Sequence, residues 1–280
     1  MDDLTTLADL ATINDMNARD VGATEIFNAA PLLAALNAVE STNGASHTYE
    51  VYEGAPVVGF RQPNAGRNHS KSNDRLETIG LNILDASFHK DAKLVAIDKK
   101  RGEAGHMARE ANRHLSQALR TAEEQLIYGL GKDAEGFAGL VDSYSALANA
   151  MVLNAGGGAA GDRTSVWAIR TVGDESGANV VLGDGEIQIR PYFEQFVEDD
   201  DGRKYPALMQ PIDGWVGMVV STANCVARLV NVGGNKTLND AMLSDLLTAF
   251  EEEAPATHIC LLYTSPSPRD RTRSRMPSSA

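Results

Sequence analysis

His106, Glu110 and His114 stand four residues apart within GEAGHMAREANRHLSQALRTAEEQLIYG. In a helix each step is about one turn, so two imidazoles and a carboxylate share a face. Histidine nitrogen and carboxylate oxygen at this spacing are ligand types for zinc or a similar ion, which would support metal-dependent catalysis. Such a site needs further ligands from other elements, and no recognisable pattern offers them. A solvated helix face is the ordinary outcome of the same spacing. We therefore expect no metal and no cofactor, and assign no catalytic or cofactor-binding residue.

Three other stretches invite a chemical reading. GGGAAGDRTS (156–165) has the glycines of a phosphate loop, but Asp162 and Arg163 stand where a lysine and a hydroxyl should be, and an acid against phosphate has the wrong sign. It reads as a turn. Glu198, Asp199, Asp200 and Asp201 could hold calcium, yet they are consecutive rather than alternating; a hairpin turn at Asp201-Gly202 accounts for them. Cys225 sits in an apolar strand-like run with no histidine nearby in sequence, and no Gly-x-Ser-x-Gly elbow is present.

These residues hang on a distinctive order of elements. The first forty residues are helical in patches, with Pro31 suited to a helix's first turn, and read as an arm lying on something else. HTYEVYEGAPVVGF is strand-like, RQPNAGRNHSKSND has no apolar face, and RLETIGLNILDASFHKDAKLVAID looks extended again. Together they make a long hairpin whose polar tip cannot bury itself and must lean on a neighbour. Met107, Ala111, Leu115, Ala118, Ala122 and Leu126 then form one stripe of a long helix stopped by Gly129. Short strands follow (SVWAIR, ANVVLG, EIQIRPY), then a long one through YPALMQPIDGWVGMVV, then CVARLVNV, before TLNDAMLSDLLTAFEEE returns to helix behind Thr237 or Asn239 as cap.

Composition narrows the classes. The 280 residues carry a net charge of −13, and residues 260–280 hold four arginines against one aspartate, so the body is more acidic still. An acidic body repels a polyphosphate backbone, which argues against the bulk surface as a nucleic-acid site and leaves only local basic spots. Two cysteines, Cys225 and Cys260, cannot build a disulfide framework or a cysteine zinc site. No apolar run reaches membrane-spanning length, and the acidic N-terminus lacks a basic, apolar leader. A soluble, intracellular body with no membrane partner is expected.

The order arm, extended loop, helix ending in QLIYG, then GFAGL and a β-rich domain resembles the major capsid proteins of tailed bacteriophages, with the Hong Kong 97-type fold. The most specific stretch is LANAMVLNAGGGAAGDRTSVWAIRTVGDESGANVV. There an Asn-x-Gly-Gly turn leads into Thr-Ser-x-Trp, as in a podovirus-associated branch of the family. The resemblance spans roughly His47 to Glu253. It implies an α+β chain with an N-terminal arm (1–46), an E-loop (47–98), a peripheral domain with its spine helix (99–163) and a β-rich remainder of peripheral and axial domains (164–259). It implies self-assembly as hexamers and pentamers into an icosahedral shell around double-stranded DNA, in a virion made in the host cytoplasm. Scaffolding, portal and decoration proteins would be partners, and no active site is required. Lys71 lies at the loop tip, where some relatives crosslink, but no surrounding pattern matches. An encapsulin-like nanocompartment is the alternative from the same fold, and a metal-dependent enzyme at His106, Glu110 and His114 the alternative from another class.

CLLYTSPSPRDRTRSRMPSSA (260–280) breaks with everything before it: basic, Ser/Pro-rich and aperiodic. Nearly all of it can be encoded by the transposase adapter of tagmentation sequencing libraries. It is expected to be read-through rather than native protein, so that a strand missing after Ile259 would leave an open sheet edge and an incomplete core.

Overall fold

Helical and extended elements form where the apolar spacing demands them, with several boundaries displaced. The computed structural model describes residues 30–262 apart from 55, 101, 148, 158–163, 172–176, 222–224, 234–235 and 251–255. The chain divides into two units, Met1–Ser143 with Val172–Thr222, and Tyr144–Thr171 with Ala223–Ala280.

Among the described residues the first unit begins with α1 (Pro31–Ala35) and β1 (Ala38–Glu40), then a hairpin of β2 (Ser46–Gly54) and β3 (Asn73–Gly80). β4 (Asn82–Asp85), β5 (Phe88–Asp91) and α2 (Ala92–Ile97) lead to the long helix α3 (Gly102–Tyr128) and the short α4 (Leu140–Ser143). After the excursion of β6 (Val152–Asn154) and β7 (Thr164–Ile169) into the second unit, the chain returns. It forms β8 (Ala178–Leu182), β9 (Gln188–Ile189), β10 (Phe193–Glu198), β11 (Lys204–Gln210) and β12 (Ile212–Val220). β13 (Val226–Val232), α5 (Asp240–Thr248) and β14 (His258–Leu262) complete the second unit.

In the first unit β12 is the hub. It pairs antiparallel with β8, β4 and β9, and β1 extends that sheet by parallel pairing with β8. β10, β11 and β5 make a second, three-stranded antiparallel sheet. The six stripe residues of α3 are all buried, and Met107 and Ala111 share a cluster with Phe88, Val95, Leu208 and Ile212. Each fully buried aliphatic or aromatic side chain contributes roughly 1.5–3 kcal/mol. Gly129 ends the helix at φ +58, a left-handed conformation that a side chain would disfavour.

The second unit is a four-stranded sheet in the order β14-β7-β13-β6. Its centre is Trp167, 1% exposed, with the Arg228 guanidinium 4.7 Å from the ring centroid and Tyr144 edge-on at 6.5 Å. Arg228 also donates to Ser165 Oγ and to the Tyr144 carbonyl. Burial and the neighbouring Cys225 hold the Tyr144 hydroxyl far above the usual tyrosine range. The Asn-x-Gly-Gly turn belongs to the same unit. Asn154 Oδ1 accepts from the Gly156 N–H at 2.9 Å, and a Cβ on Gly157 would strike the Asn231 and Gly233 carbonyls.

Three expectations change. Of the helical spacing of IFNAAPLLAALNAVE, the described residues keep Pro31–Ala35 as helix; Ala38–Glu40 is instead recruited as a strand beside β8, and residues 1–29 lie outside the described residues. The hairpin proper ends at Gly80. β4 and β5 join the two body sheets, and AKLVAI is helical behind Asp91, whose carboxylate caps the Lys93 N–H. The long strand through YPALMQPIDGWVGMVV is two strands serving different sheets. They part at Pro211, which has no N–H for a ladder. β14 runs across the Ile259–Cys260 junction and pairs Cys260 with Trp167 of β7; residues 263–280 lie outside the described residues. Edge pairing works through main-chain groups and accepts most β-prone sequences.

Candidate assembly surfaces

The residues with the most obvious chemistry do not converge. His106 Nδ1 lies 3.1 Å from Asp98 Oδ2. Glu110 is bridged by Lys90 at 3.5 Å and Arg113 at 2.7 Å. Burial alone would raise its carboxyl, but these two cations hold it below the usual carboxylate range. His114 Nδ1 sits 3.0 Å from the Ala86 carbonyl, its ring stacked on Phe88 at 4.5 Å. Each is engaged separately, fastening α3 to α2, β5 and the β4–β5 turn. Among the described residues no group of three or more His, Cys, Asp or Glu side chains could hold a metal ion.

The QLIYG and GFAGL stretches are one device. The buried Gln125 amide donates to the carbonyls of Asp133 (3.1 Å) and Phe137 (2.7 Å). Asp142 Oδ2 accepts from the Leu130 and Gly139 N–H groups, both at 2.9 Å. Gly129 and Gly139 pack backbone to backbone. A Cβ on Gly139 would lie 2.5 Å from the Gly129 nitrogen and 2.6 Å from the Gln125 carbonyl. The helix end is thus closed by its own neighbours. Two residues before Gln125, Glu123 Oε2 accepts from the Leu32 and Leu33 N–H groups at 2.8 and 3.0 Å, tying α1 to the helix. Sequence reading gave Glu123 and Gln125 no role, because the partners of Glu123 lie about ninety residues away and those of Gln125 are main-chain carbonyls that no side-chain pattern marks.

The hairpin presents the opposite condition. At its root His47 and Tyr49 are buried, Tyr49 in a cluster with Leu81, Val181 and Val219. Beyond that it leaves the body. Val57, Val58 and Phe60 are 73%, 84% and 108% exposed, and Lys71 is exposed as well. The tip is nonetheless shaped. Arg67 donates to the Gly59 carbonyl at 2.6 Å and the Val57 carbonyl at 2.8 Å, and the Val57 N–H donates to Ser70 Oγ at 2.6 Å.

The acidic run is the β10–β11 turn. Asp199 Oδ1 accepts from the Asp201 and Arg203 N–H groups, and Gly202 takes φ +76. Arg203 pairs with Asp199 and Asp201. Of the glycine-rich loop, residues 158–163 with Asp162 and Arg163 lie outside the described residues. Cys225 is fully buried, 3.5 Å from Arg170 Nη2. Among the described residues no helix is long and apolar enough to cross a membrane.

A packed first unit with an unburied arm of sheet is the profile of an assembling subunit, and comparison decides which kind. The family model described as major capsid protein GP7 matches residues 23–263. The chain belongs to this family. The capsid subunit is also similar to solved structures. One is of bacteriophage Epsilon15 (19% identity, 76% of this chain, 67% of that chain, TM-score 0.55). Others are the bacteriophage JBD30 capsid (13%, 79% and 72%, TM-score 0.46) and the holo-SrpI encapsulin complex of Synechococcus elongatus PCC 7942 (7%, 84% and 94%, TM-score 0.49). No curated protein matches it. The fold is the Hong Kong 97-type, and the capsid subunit is a shell-forming structural protein of a tailed phage.

Proposed function

We propose that copies of this capsid subunit form hexamers and pentamers of an icosahedral shell that encloses double-stranded DNA, and that assembly uses surfaces rather than a catalytic centre. The observation that carries this reading is the β2–β3 hairpin. It is rooted in the core, internally hydrogen-bonded, yet leaves Val57, Val58 and Phe60 bare. Monomeric proteins seldom keep such a projecting apolar patch, because another surface lowers its free energy. α3 is the spine of a peripheral domain, the sheet of the second unit belongs to an axial domain, and the hairpin is the E-loop. The acidic body suits a container whose wall does not adhere to packed phosphate. Scaffolding, portal and decoration proteins are its further partners, and synthesis is in the host cytoplasm.

Electron microscopy and mass measurement of the purified chain test this. Closed shells or flat capsomer arrays are expected. A protein that stays monomeric at high concentration contradicts the reading.

A further inference from the structure

Charge is unevenly spread over the first unit. The chain carries −13, yet residues 89–114, from β5 through α2 into α3, hold seven lysines and arginines against four aspartates and glutamates. Each of the four acids is engaged. Asp91 caps the Lys93 N–H at 2.7 Å, and Asp98 Oδ2 lies 3.1 Å from His106 Nδ1. Glu103 faces the Tyr192 hydroxyl, and Glu110 takes both Lys90 and Arg113. Cations are left over. Lys93, Lys99, Lys100 and Arg109 are exposed and make no ion pair among the described residues. Val95 of α2 packs with Met107 and Ala111 of α3, so the segments that bear these four side chains are held together.

We propose that this basic patch around the α2–α3 turn is where the subunit touches the phosphate backbone of the enclosed duplex, which puts the turn on the inner face of the shell. This deepens the shell-subunit reading and rests on it. Lysine and arginine without a counter-charge gain free energy by displacing the cations condensed on DNA. Three of the four are lysines, point charges suited to phosphate, and a phosphate contact carries no sequence information. A wall that must accept every stretch of a genome needs that indifference. Four charges in an acidic surface are few, so the duplex is located without being held fast. The hairpin tip is a poorer candidate, because Arg67 is spent on the Gly59 and Val57 carbonyls and three bare apolar side chains there call for an apolar partner. Leu94 and Ile97 are also bare on α2, 68% and 70% exposed, which makes an acidic peptide the rival occupant. That apolar pair belongs to one short helix, whereas the cations extend from α2 through the turn into α3.

Binding of a short labelled DNA duplex to the full chain, kept below its assembly concentration and followed by fluorescence anisotropy between about 50 and 200 mM salt, tests the patch. The parent should bind, with log K falling against log salt at a slope of about 3 to 4 for four phosphates met. Lys99→Gln with Lys100→Gln should weaken binding about tenfold at the lower salt and reduce that slope by about two. Arg61→Gln with Lys71→Gln removes the same charge from the hairpin tip and should leave binding within about twofold of the parent. Neither pair removes an ion pair among the described residues, and melting curves check that the variants fold. An unchanged lysine variant overturns the inference, as does an equal loss in both variants, which would make net charge rather than this patch the cause. Preference for poly-glutamate over the duplex at the same lysines assigns the patch to an acidic protein and overturns it too. A parent that forms shells but never binds the duplex overturns the inference and leaves the shell reading intact; one that neither binds nor self-associates overturns both.

Discussion

The C-terminal end of α3 and the tip of the β2–β3 hairpin draw on similar residues, glycines, amides and isolated charges, and reach opposite results. At the helix end Gln125, Asp142, Gly129 and Gly139 hold the helix terminus and the loop after it within a few ångströms, and Gln125 and both glycines are buried. At the tip Arg67 and Ser70 satisfy the backbone equally well, but Val57, Val58 and Phe60 stay in water. The first region closes on itself and holds the fold. The second is ordered without being buried, so its stabilising contacts must come from another molecule. Hydrogen-bond satisfaction is common to both; burial separates structure from function.

Substitutions should divide along that line. Gly139→Val drives a side chain into two backbone segments and should cost about 3 kcal/mol or more of folding stability, read from urea unfolding; a loss under 1 kcal/mol would show that the two glycines are not in contact. Gln125→Leu strands the Asp133 and Phe137 carbonyls and should cost about 2 kcal/mol, measured in the same way.

The attachment of α1 gives a smaller, pH-dependent effect. Burial raises the Glu123 carboxyl above the ordinary glutamate range, the Leu33 and Leu32 N–H groups oppose the rise, and Glu124 adds to it. The folded chain therefore holds this proton more tightly than the unfolded chain does. Its contribution is greatest below the ordinary glutamate pKa of about 4.3 and declines as pH rises through the raised folded value. Glu123→Gln should match the parent in acid and exceed its stability above that window; parallel stability–pH curves would contradict this. At the other end of the scale, Phe60→Ser should change folding stability by less than about 0.5 kcal/mol and yet reduce assembly, as followed by light scattering.

Legibility in the sequence followed the same division. The α3 stripe, the Gly129 stop, the Asp201-Gly202 turn and the first strand of the hairpin were readable because period and turn chemistry are local. So was the family, from QLIYG, GFAGL and the Thr-Ser-x-Trp strand. What escaped was set by distant pairing. Ala38–Glu40 is a strand because β8 offers an edge, not because of its own preference. Residues 82–91 looked like the continuing arm of a hairpin but pair with β12 and β11, more than a hundred residues later. Glu123 could not be tied to α1, ninety residues away. His106, Glu110 and His114 shared a face as expected, but only the structure shows Asp98, Lys90, Arg113 and Ala86 engaging them one by one.

Hydrogen exchange on the free and the assembled chain, resolved to peptides, tests the central contrast most directly. Amides of residues 56–72 should exchange quickly in the free subunit and become strongly protected on assembly, while those of α3 should be protected in both. Equal exchange at the tip in the two states would contradict the assignment of this hairpin to the contact between copies.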